Sequence, residues 1–261
     1  MAIRGDGKVA VVTGASSGIG AATAVALADA GFRLALGARR VEKLEDLADR
    51  IAERTGEQPW ISALDVTSPT STQAFVDGAL AAFGHVHVLV NNAGLARGTA
   101  HVAEASDADE ADWREMVETN VLGLLRVTRL LLPHLLATDG AHIINVGSIA
   151  GREAYAGGSV YCGTKFAVRA ITEALRQELL GKPVRVTTVD PGMVETEFSI
   201  VRYHGDTAKA SDVYAGMTPL TAEDIADCIC FAATRPQHVN IDAIIVKPLD
   251  QAGAGKVARR S

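Results

Sequence analysis

The sequence predicts an α/β fold, a doubly wound, mostly parallel seven-stranded sheet with helices on both faces. Two observations predict it. Short apolar or β-branched runs alternate with longer stretches of helical periodicity along almost all of the 261 residues, the order that builds a parallel sheet with crossover helices. The strand runs also show little apolar/polar alternation, as strands covered on both faces do. No linker, repeat or low-complexity block interrupts the pattern, so residues 1–261 are expected to form a single domain.

Each element has its own signal. Residues 9–12, 34–36, 60–64, 86–90, 142–146, 184–189 and 241–246 are runs rich in Val, Ile and Leu, short enough for strands. Residues 18–30, 41–54, 70–83, 112–136, 159–180 and 222–234 carry the helical period between them. The acidic run at 107–112 reads as a solvated loop leading into a helix N-terminus, where acids suit the dipole. Residues 192–215 have no firm assignment. A loop that long is usually functional or mobile, and its position over the strand ends suits a substrate lid. Residues 253–261 are glycine-rich and basic and read as a mobile tail.

Composition narrows the function. A net charge of −6 disfavours a nucleic-acid surface, which needs a basic patch. No apolar run reaches bilayer length, because Pro133 and His134 break the longest. No signal-peptide stretch precedes Lys8. Cys162, Cys228 and Cys230 have no metal-ligand spacing and read as buried thiols of a reducing compartment. A cytoplasmic protein without metal or membrane contact is expected. His85, His87 and the other histidines read as surface or core residues.

Gly14-Ala15-Ser16-Ser17-Gly18-Ile19-Gly20 joins the first strand to the first helix. Glycines permit a tight turn and close backbone approach, and the helix N-terminus offers unpaired N–H groups to a pyrophosphate. The second strand ends in Ala38-Arg39-Arg40, with no acid before Glu42. An acid there would bind a ribose 2′-hydroxyl, whereas arginine accommodates a 2′-phosphate. Two cations at a helix start also oppose its dipole, a misfit that a phosphate resolves. Arg39 and Arg40 therefore favour NADP(H) over NAD(H). Asn92, Ala93 and Gly94 end the fourth strand, where small residues admit the cofactor, and Asp65 ends the third, able to accept from an adenine amino group.

Tyr161 and Lys165 stand at i, i+4 on one predicted helix, and Ser148 ends the strand before it. A free tyrosine titrates near pH ~10. An ammonium ~4 Å away is worth roughly 4 kcal/mol at an effective dielectric of 20, which brings the phenol toward working pH, where proton transfer is efficient. Tyr161 then exchanges the proton of an alcohol or carbonyl as hydride moves to or from a nicotinamide. Ser148 holds the substrate oxygen, and Lys165 also binds the nicotinamide ribose.

Together these residues resemble the short-chain dehydrogenase/reductase family from Lys8 to about Gln251, which implies a Rossmann-like fold. The resemblance implies that Asn120 completes a catalytic tetrad with Ser148, Tyr161 and Lys165 through a water relay. It also implies that Pro191, Gly192, Val194 and Thr196 close over the nicotinamide, that Arg39 meets the 2′-phosphate, and that Asp65 and Val66 meet adenine. Stretches 147–152, 195–205, 219–224 and 248–251 are similar to NADP-dependent 3-hydroxy acid dehydrogenases. Those act on serine, allo-threonine, 3-hydroxypropionate or 3-hydroxyisobutyrate, and are typically homotetramers. A substrate carboxylate needs a cation, and Arg152 and Arg202 are the candidates, each with an alternative reading as a solvated or interface arginine. A broad aldehyde or ketone reductase is the other enzymatic reading, and a non-catalytic NADP(H) sensor the reading from another class.

Overall fold

The computed structural model describes residues 5–260. Seven strands form one parallel sheet: β1 (Val9–Thr13), β2 (Arg33–Ala38), β3 (Trp60–Ala63), β4 (Val88–Asn91), β5 (Ala141–Val146), β6 (Val184–Pro191) and β7 (Ala243–Val246). Their spatial order is β3-β2-β1-β4-β5-β6-β7. The order reverses between β1 and β4, and in such sheets the crevice beyond the strand ends at the reversal holds the ligand. The helices are α1 (Gly18–Asp29), α2 (Val41–Thr55), α3 (Pro69–Phe83), α4 (Asp107–Val117), α5 (Leu124–Leu136), α6 (Ser159–Glu178), α7 (Glu197–Arg202), α8 (Thr207–Asp212) and α9 (Ala222–Ala233).

Alternate residues of the inner strands serve opposite cores, which is why those strands read as unbroken apolar runs, while alternate residues of the edge strand β7 are exposed. Ala10, Val12, Leu34, Leu36, Val88 and Val90 pack with Leu27 of α1, Leu44 and Leu47 of α2 and Ile225 and Ile229 of α9. Val9, Val11, Ala35, Leu89 and Ile143 pack with Phe75 of α3, Leu131 and Leu135 of α5 and Leu175 of α6. Each fully buried Leu, Ile or Phe contributes about 1.5–3 kcal/mol, so both faces hold the sheet firmly. A polar chain crosses the second core: Asn91 Nδ2 donates to Thr128 Oγ1 and Asn145 Oδ1, and Asn145 Nδ2 donates to Thr172 Oγ1, each at 2.9 Å. It ties β4 and β5 to α5 and α6 beneath the strand ends. His142 is fully buried, and His87 Nδ1 accepts from the Val9 amide at 3.0 Å.

Three segments differ from expectation. The single helix expected at 112–136 is two helices joined by a π-helical segment, Glu118–Gly123. Its first half starts earlier because Ser106 and Asp109 form a capping box. The π turn brings Gly123 against the β3 end, where a Cβ would stand 2.7 Å from Val66. Residues 192–215 are not a featureless loop but carry α7 and α8, capped by Thr196 and Asp206. The expected mobile tail instead folds back as a hairpin, β8 (Gln251–Gly253) with β9 (Lys256–Val257). Arg259 Nη2 donates to Val213 O at 3.1 Å, and Arg260 pairs with Asp250 at 3.0 Å. Basic residues there are anchored because helix-end carbonyls and an acid lie within reach; Ser261 lies outside the described residues. Among the described residues, no helix is long and apolar enough to cross a membrane.

Candidate active site

A cavity of about 610 Å³ runs along the carboxyl ends of the strands. Its floor at one end is the glycine-rich turn between β1 and α1. Gly14 adopts φ +65°, and a Cβ there would stand 2.8 Å from the Ala93 backbone. Only glycine lets these two strand ends approach so closely. Asn92 Nδ2 donates to Thr13 O and Gly14 O at 2.9 and 3.1 Å, fixing the approach. Gly20 lies behind the turn and does not line the cavity; a Cβ would meet Gly14 O at 2.3 Å. Ser17, the N-cap of α1, makes no side-chain cap, so the first-turn N–H groups are not taken by it and suit an anion.

The second-strand arginines divide. Arg39 is exposed at the cavity rim. Arg40 turns inward: Nη2 donates to Ser17 Oγ at 2.7 Å and Ser16 Oγ at 3.3 Å, and Nη1 pairs with Glu197 at 2.8 Å. Lys43 pairs with the other Glu197 oxygen at 2.6 Å. Hydrogen bonds from Lys43 and Arg40 draw the Glu197 carboxyl down to about pKa 2. Asp65 also lines the cavity, with one oxygen accepting from the Thr67 amide and hydroxyl at 2.9 and 2.7 Å. Burial pushes its pKa up, but those bonds with Arg39 and Arg126 leave it net below the usual value. Val66, Ile19, Gly18 and Gly94 complete this end.

At the other end, Ser148, Tyr161 and Lys165 come together as expected. Ser148 caps the turn after β5, its Oγ accepting from the Ala150 amide at 3.0 Å, and its hydroxyl offsets part of the effect of burial on the Tyr161 phenol. Lys165 makes no hydrogen bond to the phenol. Its Nζ donates to Val146 O at 2.9 Å and lies 6.0 Å from the Tyr161 ring centre. The expected lowering of the tyrosine is therefore reversed. Burial dominates both groups: it raises the Tyr161 pKa well above its usual value and lowers Lys165 to about 8, against the upward pull of Asp190. Desolvation disfavours each charged form, and at this separation their attraction is the smaller effect.

Asn120 sits in the π turn but behind the cavity wall. Its Oδ1 accepts from the Leu95 amide at 2.8 Å, and its Nδ2 donates to Leu95 O at 2.8 Å and Thr164 Oγ1 at 3.1 Å. The side chain thus ties the loop after β4 to α6, two turns that frame Lys165. Arg152 is a clear correction: it does not line the cavity. It pairs with Asp190 at 2.6 Å, a carboxylate buried at the end of β6 that needs a counter-ion.

Arg202, the last residue of α7, does enter the cavity. Its guanidinium carbon stands 5.1 Å from the Tyr161 ring centre and 5.8 Å from that of Phe198. Nη2 donates to the Tyr155 hydroxyl at 2.6 Å, while the buried Nε has no partner. The helix end is held by Arg97 Nη1 on Val201 O and the Gly98 amide on Arg202 O, both at 2.9 Å. Tyr155, Phe198, Arg97 and Glu197 were not singled out from sequence; they lie in irregular or short segments without a periodic signal. Pro191, Gly192, Val194 and Thr196 line the wall between the two ends. Tyr214 donates to Val194 O at 2.8 Å, and Gln251, from the start of the hairpin, accepts from the Met193 amide at 2.8 Å.

Residues 8–205 match the short chain dehydrogenase family. The NADP-dependent 3-hydroxy acid dehydrogenase of Schizosaccharomyces pombe is 45% identical, over 98% of each chain. Sulfoacetaldehyde reductase 2 of Chromohalobacter salexigens is 44% identical, over 94% of this chain and 95% of its own. A closed form of serine dehydrogenase complexed with NADP+ superposes with TM-score 0.89 at 38% identity, covering 97% of this chain and 100% of its own. The glycine turn on β1, the Ser148–Tyr161–Lys165 cluster on β5 and α6, the strand order and these likenesses over nearly the whole length agree: the chain belongs to the short-chain dehydrogenase/reductase family and is an oxidoreductase with its Rossmann-like fold.

Proposed function

We propose that the protein interconverts 3-hydroxy acids and 3-oxo acids with NADP(H), taking compounds of the 3-hydroxypropionate or 3-hydroxyisobutyrate type. The observation that carries the acid is Arg202, whose buried Nε lacks a partner beside Tyr161. A guanidinium presents a planar fork that matches a carboxylate. One spacer carbon separates carboxylate from hydroxyl-bearing carbon in a 3-hydroxy acid, so Arg202 and Tyr161 can hold its two ends. The sulfonate of a compound such as sulfoacetaldehyde presents comparable oxygens to the same arginine.

The cofactor fits the residues present. The uncapped first turn of α1 takes a pyrophosphate, Arg39 and Arg40 flank the 2′-phosphate corner, and Lys165 with the 191–196 wall meets the nicotinamide half. When bound, the nicotinamide supplies or accepts the hydride. Ser148 donates to the substrate oxygen and Tyr161, kept neutral by burial, gives that oxygen its proton in reduction. In oxidation the phenol must first lose its proton, a loss the Lys165 charge favours. Asn120 positions the β4 loop and α6 rather than touching substrate.

Cation and anion are unevenly placed. The acids lining the cavity are Asp65 and Glu197, and both belong to the adenosine end. An α-ammonium at the catalytic end would meet no carboxylate lining the cavity among the described residues, Asp190 being buried and paired with Arg152, so hydroxy acids without the amino group are preferred over serine and allo-threonine. Initial rates with NADP+ against 3-hydroxypropionate, 3-hydroxyisobutyrate, serine, allo-threonine and a neutral secondary alcohol test the reading. Equal kcat/KM for the neutral alcohol would replace it with a broad carbonyl reductase.

Arg39→Ala tests the phosphate corner. Losing a charge-assisted contact should raise KM for NADP+ about 10- to 100-fold and leave KM for NAD+ within about twofold. Equal effects on both would mean that Arg39 faces solvent only. We also infer a homotetramer, supported by exposed apolar side chains on the α4–α6 segments (Val117, Leu122, Leu125, Phe166) and on α9, β7 and the residues after it (Phe231, Ile245, Leu249); light scattering gives the mass directly.

A further inference from the structure

We propose that Glu197 is a positioning residue that couples the 2′-phosphate corner to the substrate arginine through α7. The inference rests on the reading of Arg202 as the acid's partner.

Helix α7 has six residues, with Glu197 at its start and Arg202 at its end. At a rise of about 1.5 Å per residue it is a strut of roughly 8 Å between the two ends of the cavity. Its far end is tied to Arg97 and Gly98. Its near end is tied through Glu197 to Lys43 at 2.6 Å and Arg40 at 2.8 Å. Arg40 in turn holds both serines of the glycine turn. The contact is continuous, because a Cβ on Gly18 would stand 3.2 Å from the Thr196 side chain. Thus the lid begins on the phosphate-binding turn itself.

Charge explains why the 2′-phosphate matters to this contact. Arg39, Arg40 and Lys43 bring three positive charges to the corner, and Glu197 and Asp65 two negative charges. The corner stays net positive, and a 2′-phosphate of nearly two negative charges at neutral pH is drawn to it. With the phosphate present, Arg40 and Lys43 can serve both anions while Arg39 serves the phosphate alone. Without it, as with NAD(H), Arg40 and Lys43 still meet Glu197, but no phosphate offsets the remaining repulsion among the cations, and α7 is held less firmly than with it. The 2′-phosphate therefore acts on substrate binding at the opposite end of the strut, in addition to its own binding energy.

Hydrogen exchange over residues 193–215 tests this with saturating 2′,5′-ADP, which carries the 2′-phosphate, and 5′-AMP, which does not. Neither reacts, so this arm stands whatever the substrate proves to be. In the wild type, 2′,5′-ADP should slow exchange of the α7 amides about three- to tenfold beyond 5′-AMP, and Glu197→Gln should erase that difference. In kinetics, Glu197→Gln should raise KM for the hydroxy acid about three- to tenfold while NADP+ binds as tightly as before or more tightly. Equal protection by both nucleotides, or a difference that survives Glu197→Gln, would overturn the coupling. So would tighter NADP+ binding with an unchanged hydroxy-acid KM, because Glu197 would then be only a competing anion.

Discussion

Replacing Tyr161 with phenylalanine should lower kcat about 10²- to 10⁴-fold, the range that a positioned proton donor supplies. NADPH affinity should stay within about twofold, since the ring that packs near Phe198 is kept. Loss of NADPH binding in parallel with turnover would assign Tyr161 to the cofactor instead. The same site gives a signed pH dependence. Tyr161 is held neutral by burial, so it remains a proton donor throughout the neutral range. Lys165, lowered to about 8, loses its charge as pH rises through that value. In the reductive direction kcat/KM should therefore be flat below pH 7 and fall above about 8, and Lys165→Arg should move the falling limb to higher pH. In the oxidative direction the phenol must ionise, so kcat should rise into the alkaline range. A reductive profile that rises between pH 7 and 9 would contradict the assignment of both groups.

The features legible in sequence were those fixed by local geometry. The i, i+4 spacing places Tyr161 and Lys165 on one turn of α6 whatever surrounds them, and glycines between a strand and a helix can do few other things. The apolar strand runs made the parallel sheet legible because successive residues of the inner strands face one or the other of two cores. What escaped depended on partners distant in the chain. Arg152 follows Ser148 closely and looks available, but its fate is set by Asp190, 38 residues away. Lys165 was expected to act on the phenol directly; the Val146 carbonyl, 19 residues before it, competes for its ammonium. The π turn at Asn120 follows from packing of Gly123 against Val66, which helical periodicity does not encode. The basic tail looked mobile because composition carries no record of the carbonyls at 213 and 215 that receive Arg259.

Arg202→Leu should separate substrate recognition from chemistry. Removing one partner of a desolvated charge pair typically costs 2–5 kcal/mol, so kcat/KM for 3-hydroxy acids should fall roughly 10²- to 10³-fold. A neutral secondary alcohol should change by no more than about threefold, because Ser148 and Tyr161 stay in place and burial, not the Arg202 charge, dominates the state of the phenol. Leucine keeps the apolar contact with Phe198, and the backbone carbonyl at this position still accepts from Gly98, so α7 retains its seat. Arg202→Lys sharpens the test. An ammonium restores the charge but not the fork, and it cannot serve both Tyr155 and a carboxylate with the same geometry. It should recover part of the acid's kcat/KM and less for a bulkier 2-substituted acid, whose carboxylate is held at a more constrained angle. If leucine depresses acid and neutral alcohol alike, the guanidinium serves the lid through Tyr155 alone, and the acid must be held by another group.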